Sequence, residues 1–440
     1  MIFVIRLISH CRIVFVQRFP RFRFLALICL LTGSISLAQK PANDPPQKKA
    51  VPQSGVWLYS DSSGHVTGGM FTKIHSEGFD WRDSEDQKIR TIDWSKAEEI
   101  RRNSDSAVDP VTDPALGSML LLPDGDRLRG EAVALLEKGL AVQSASLGVL
   151  NLPAAYWSGA IFQSPKLASE FLRLYHRLRQ GASKPGDLVV LGNGDQLSGT
   201  LVELDGETLQ IQPTGATKAA KLKRSDLIAV GIDPKSSVYP KSTTRLWEVH
   251  LNDGSRLSAT SLTLEEIESE SVLMLTTRWG AVWKCPTSKI TRFRVVQPSQ
   301  IDLEKKPADA IQTVDYVGKT SLPKFGSNVQ GGPLKLGARF YDKGIGTQAR
   351  TLMAYRLEGT ETEFTAWLGV DSSAGPLGRA KAVVLVDGKP VYESGPMKAG
   401  EPPRRITLKL SQARLLILSS EFGEGGGVRD WVDWCEPTLK

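Results

Sequence analysis

Eight residues in the last quarter of the chain have side chains suited to chemistry: Tyr341, Asp342, Gln348, Arg350, Trp367, Asp371, Asp430 and Trp431. A sugar presents an apolar ring face and a rim of hydroxyls. Trp and Tyr can stack on the face, while Asp, Gln and Arg can hydrogen-bond the rim. These types therefore suit a saccharide ligand. Several have structural alternatives. Tyr341 and Trp434 can sit in a core, and Asp371 and Asp433 can cap turns or hold a structural calcium as hard oxygen ligands. The run Gly423-Glu424-Gly425-Gly426-Gly427, just before Asp430, either shapes the site or is a long turn.

Catalytic constellations do not emerge, so the chain reads as a non-enzyme. Glycoside hydrolysis needs two carboxylates across a cleft, and the acids here fall mostly on turns and hydrophilic faces. A Ser–His–Asp site needs a histidine. The five histidines are His10, His65, His75, His176 and His250, none within the last third of the chain. GxSxG, Walker and strand-led GxGxxG motifs are missing, as are CxxC and zinc-ligand spacings.

The elements that must position those residues read as short strands. Phe364, Ala366, Leu368 and Val370 alternate, with Thr365, Trp367 and Gly369 on the other face. Val383 to Val386 ends at the turn Asp387-Gly388-Lys389, Ile406 to Leu410 alternates, and Leu415 to Leu418 is a continuous apolar run suited to a strand buried on both faces. Regular strands with Gly/Pro turns predict a β-sandwich over 313–440.

The motifs in this stretch carry a resemblance. In order they are Tyr341-x-Lys343-Gly344-Ile345-Gly346-x-x-Ala349, Tyr355-x-Leu357, Phe364-x-Ala366-x-Leu368-Gly369-Val370-Asp371, Val386-Asp387-Gly388-Lys389 and Asp430-x-x-Asp433-Trp434. The segment resembles the NPCBM/NEW2 family of carbohydrate-binding modules. That resemblance implies a jelly-roll β-sandwich holding a sugar, often a terminal galactose-type residue, in a shallow site made by loops. The family usually has a small residue and His after Gly-Ile-Gly. Here Thr347 and Gln348 stand there, and the Gln348 amide supplies both a donor and an acceptor.

Upstream, a hairpin pattern recurs. Apolar runs lead into turns at Gly64, Gly125, Gly194 and Gly254, spaced 61, 69 and 60 residues apart. The expected units are β repeats at 55–103, 119–165, 187–234 and 246–298, each with four or five short strands. Loosely, they resemble Sm-like small barrels. Leu167, Phe171, Leu172, Leu174, Tyr175 and Leu178 recur at helical intervals and predict one inserted amphipathic helix over 166–181. Residues 39–54 and 299–312 read as linkers. The fold class is thus all-β: repeated small antiparallel units with one inserted helix, then the sandwich.

The chain has 440 residues and a net charge of +7. Arg6, Arg12, Arg18, Arg21 and Arg23 precede Phe24 to Leu31 and the small-residue site Ser36-Leu37-Ala38, the parts of a signal peptide over 1–38. That apolar run is too short to span a bilayer, so no anchor is expected after cleavage. Without those arginines the remainder carries only +2, which argues against a nucleic-acid partner. Cys285 and Cys435 lie in different units and read as isolated buried thiols. The expectation is an exported, secreted or periplasmic, carbohydrate-binding protein with a glycan or polysaccharide partner. Alternatives are an envelope structural or adhesion protein with protein partners, and a glycoside hydrolase-associated protein with a site of another kind.

Overall fold

The computed structural model describes residues 57–440, except 62–64, 103–108, 137–138, 181–185, 238–239, 269, 315–320 and 425. Of the leader and first linker it describes only the strand Ile13–Val16, which pairs with Ala310–Val314. The rest of the 1–54 reading lies outside the described residues, as does Gly64.

The repeat pattern becomes strand pairing at its turns. Gly125, Gly194 and Gly254 have φ of 90°, 89° and 85°, a region open to glycine at little steric cost. The first, third and fourth repeats hold five strands each, and the second holds six. The third, for example, runs through Asp187–Leu191, Gln196–Leu204, Thr208–Pro213, Ala220–Lys223 and Leu227–Gly231.

The repeats do not stay separate. The closing strands of the first and fourth, Ala97–Arg102 and Ile290–Val296, pair with Ile100 opposite Phe293. Those of the second and third, Gly159–Ile161 and Leu227–Gly231, pair with Ala160 opposite Val230. Arg127 opposite Arg256 then links the two pairs. The result is one closed barrel, which leaves few strand edges open. A unit of this size cannot bury its apolar face alone. Accordingly, one core runs through all four, with Trp81, Trp94, Trp157 and Trp283 inside it.

The helix spans Ala168–Gln180. Phe171, Leu172, Tyr175 and Leu178 face Met119, Leu121, Leu188 and Val190 of the second and third repeats. Leu167, expected on that face, precedes the helix and is exposed.

The sandwich has two antiparallel sheets. One orders Ala310–Val314, Thr351–Arg356, Leu415–Phe422, Arg379–Val386 and Lys389–Glu393. The other orders Lys324–Phe325, Gly344–Gln348, Trp431–Leu439, Glu363–Val370 and Arg404–Lys409. Leu415–Phe422 is central and buried on both faces, as its unbroken apolar run requires. Trp434 is fully buried, and its indole donates to Ser420 Oγ at 3.1 Å. Gly346 lets two backbones touch: a Cβ there would lie 2.4 Å from the backbone of Asn328.

Segment 299–312 is not a linker. Ile301–Asp302 pairs with Trp431–Leu439, Leu303 is fully buried in the sandwich core, and Ala310–Val314 is a sheet strand. Its charged residues obscured a segment whose two short strands are recruited by long-range pairing. Cys285 and Cys435 are both free and buried.

Candidate functional site

Three of the eight candidate residues lie where the barrel covers the sandwich, and none of the three is available as a sugar platform. Asp342 is held by the barrel: Arg127 Nη2 lies 2.8 Å from Oδ1, while His250 Nδ1 and Arg256 Nη1 lie 3.1 and 3.9 Å from Oδ2. Burial opposes its ionisation, but Arg127, His250 and Arg256 hold it well below the usual carboxylate range. Tyr341 is buried beside Leu334, Leu336 and Cys435. The Arg339 guanidinium covers its ring at 4.6 Å. Trp367 does face outward from its strand, as the alternation implied, yet Arg339 and Arg405 cover its ring at 5.2 and 5.3 Å. Arg339 in turn pairs with Glu99 at 2.6 Å, and Arg405 pairs with Glu98 of the barrel.

Asp371 and Asp430 are structural. Asp371 is fully buried at the start of the 3-10 turn Ser372–Leu377; its carboxylate accepts from Ser373 N at 2.8 Å and from the Asn328 amide at 3.4 Å. The buried Asp430 carboxylate accepts from Gly423 N at 3.0 Å and Arg379 N at 3.4 Å, tying down both ends of the glycine-rich loop.

Asp433 is also fully buried, next to Asp371. Calcium takes about six to eight oxygen ligands. Among the described residues, no group of three or more Asp, Glu, His or Cys side chains converges. With Asp371 already engaged, this carboxylate pair does not supply such a shell. A held proton is the simpler state, because burial first, and then the Asp371 charge, raise Asp433 well above the usual range.

The folded chain therefore keeps a proton that an unfolded Asp, with a pKa of about 3.9, has released. This contribution is present in acid and is lost as pH rises through the raised value. Asp433→Asn is expected to flatten the decline in melting temperature as pH rises above the unfolded Asp value of about 3.9. A variant with an unchanged slope would overturn this account, as would a wild-type melting temperature raised by added calcium.

Gln348, Arg350 and Trp431 remain together at one end of the sandwich. Gln348 lies opposite Trp431 in the strand pair, and Ala349 N donates to Asp430 O at 2.8 Å, which brings Arg350 alongside. Trp431 is half-buried, resting on the sandwich core, and so is fixed but partly accessible. Arg350 Nε lies 3.1 Å from Glu421 Oε2. The rim adds residues that sequence reasoning missed: Glu421, which pairs with Arg350, and Arg379, which pairs with Glu424 of the glycine-rich loop. The glycine run was the available signal, since it marks the loop these residues border. A half-buried indole beside an amide, a guanidinium and a carboxylate can stack one sugar face and bond its hydroxyls.

The motif order along these strands decides the assignment. Residues 308–440 match the family model of the NPCBM/NEW2 domain. The NPCBM/NEW2 domain occupies under a third of the chain, and the barrel lies outside the match. A curated relative from Renibacterium salmoninarum, named "Putative endo-alpha-N-acetylgalactosaminidase", is 35% identical over 105 residues. That alignment covers 24% of this chain and 7% of the relative. Among solved structures, the CBM51 of a Clostridium perfringens GH95 in complex with methyl-galactose is 21% identical, covers 32% of this chain and 100% of that one, and has a TM-score of 0.30. CBM51-2 with the INT domains of Clostridium perfringens ZmpB, in complex with GlcNAc, is 18% identical, covers 41% and 37% of the two chains, and has a TM-score of 0.30.

Proposed function

We propose that this chain is an exported, non-catalytic carbohydrate-binding protein whose NPCBM/NEW2 domain takes a glycan at the loop end of its sandwich. The observation that carries this reading is the set Gln348, Arg350 and Trp431, placed together within the matched domain. Trp431 stacks on the ring face, while Gln348, Arg350 and Glu421 bond hydroxyls. Export rests on the leader pattern in 1–38 and places the protein outside the cell or in the periplasm. Among the described residues, no helix is long and apolar enough to cross a membrane.

The experiment is a glycan array probed with the full chain. The isolated domain is a poorer probe, because cutting before residue 313 removes the buried Leu303 and exposes the charges that face the barrel. Binding to at least one glycan is expected. Trp431→Ala should weaken it at least about 10-fold, the size of a lost stacking anchor, with no change in melting temperature beyond a few degrees. Folded protein that binds nothing on a broad array would overturn the reading.

A further inference from the structure

A second cleft lies at the junction of barrel and sandwich, apart from the loop end. It encloses about 400 Å³ and is lined by five cations, Arg278, Arg294, Lys305, Lys306 and Lys343, against three acids, Asp124, Glu248 and Asp302. Its volume falls in the range of small-molecule sites, about 300–1,000 Å³. The walls come from distant parts of the chain. Arg278 sits on the turn after the strand Glu270–Thr277, and Arg294 on Ile290–Val296. Lys305 and Lys306 follow Ile301–Asp302, and Lys343 precedes Gly344–Gln348. The cleft therefore exists only when the two units are docked.

The acids are already taken. Glu248 is bound by Lys343 and lies 3.7 Å from Arg294. Asp302 lies 3.6 Å from Lys343, and Asp124 pairs with Arg278. Lys343 serves two of these acids. Lys305, at the exposed mouth, instead donates to the backbone oxygen of Asp124 at 3.2 Å, a neutral partner. The cleft thus carries two positive charges beyond its acids; burial first, and then crowding by Lys343 and Arg256, disfavours the charge on Lys305. An oxyanion entering here would meet charge-assisted donors and relieve repulsion among like charges.

We propose that this interdomain cleft is a second binding site, specific for an acidic saccharide whose carboxylate or sulfate is held by Lys305 and Lys306. The lining offers no aromatic ring, so it does not suit a nucleobase, which single-strand binders hold by stacking. Gln300 supplies an amide of the kind that bonds sugar hydroxyls, and Val296 and Ile301 an apolar wall, whereas the Ser258 and Thr438 hydroxyls already donate to Asp126 and to the Glu436 carbonyl.

The test is calorimetric titration of the full chain with an oligogalacturonate, a sulfated heparin hexasaccharide, a neutral galacto-oligosaccharide and a single-stranded DNA of matched charge. At least one acidic saccharide is expected to bind, more tightly than the DNA, and the carboxylate and sulfate arms identify the preferred anion. The double variant Lys305→Glu, Lys306→Glu should weaken that binding at least about 10-fold and leave the melting temperature and any neutral-glycan binding unchanged. Trp431→Ala should leave acidic-saccharide binding unchanged, which separates this site from the loop end. The proposal is overturned if neither acidic saccharide binds, if the double variant binds as well as wild type, or if the DNA binds as tightly as the saccharides.

Discussion

Asp342→Asn is expected to destabilise the chain by about 3–5 kcal/mol, the cost of breaking one side of a buried ion pair, while leaving glycan binding by the folded fraction intact. The carboxylate balances two buried guanidiniums, Arg127 and Arg256, which are both about 3% exposed. An amide keeps the shape and removes the charge, so both cations would remain buried with less compensation. Arg127 also donates to Gly254 O at 2.8 Å, which fixes it in place and limits escape to solvent. Chemical denaturation of wild type and variant measures the cost. If Asp342 were instead a ligand contact, the variant would keep its stability and lose glycan affinity; that pattern would sink the interface assignment.

The second large effect is expected at Arg292. Its Nη2 lies 2.6 Å from Glu99 and 2.5 Å from Glu436, so one guanidinium bridges the first repeat and the last strand of the sandwich. Arg292→Met keeps much of the apolar stem and removes the charge. Two buried carboxylates would then depend on Arg101, Arg339 and Arg294, and a loss of about 3–5 kcal/mol is expected.

The pH dependence should change as well. In the wild type, burial opposes ionisation of Glu99, but Arg292 and Arg339 hold it at about 2. An unfolded Glu titrates at about 4.3, so this stabilisation is full above that value and is lost as pH falls toward 2. Without Arg292, burial and the Glu436 charge weigh more heavily, and the acid limb should flatten or reverse. Stability measured by urea from about pH 7 down to about pH 3 checks this. An unchanged acid limb would mean that Arg292 does not govern the pair.

These charges carry functional weight because they make barrel and sandwich one body. Arg405, Arg339, Lys343 and Asp342 of the sandwich each pair with a barrel residue. A glycan held at the loop end would thus be held on a scaffold of four repeats rather than on a tethered module. Buried pairs of this kind add little net stability over apolar packing, but wrong dockings would leave them unpaired.

The sequence alone determined what depends on neighbours along the chain. Alternation in Phe364 to Val370 and the apolar run from Leu415 specified strands and their buried faces, because side chains alternate across a strand wherever it lies. Glycine at Gly125, Gly194 and Gly254 specified turns through local φ. The motif order from Tyr341 to Trp434 identified the domain. Tertiary structure decided what depends on distant partners. Asp342 meets Arg127 across 215 positions, and Arg339 meets Glu99 across 240. No local pattern distinguishes an Asp that will meet a sugar from one that will meet a buried arginine, since both sit in polar turns until the units dock. The same docking covered Tyr341 and Trp367, joined four repeats through their edges, and left Gln348, Arg350 and Trp431 as the candidates that stay together at one end of the sandwich.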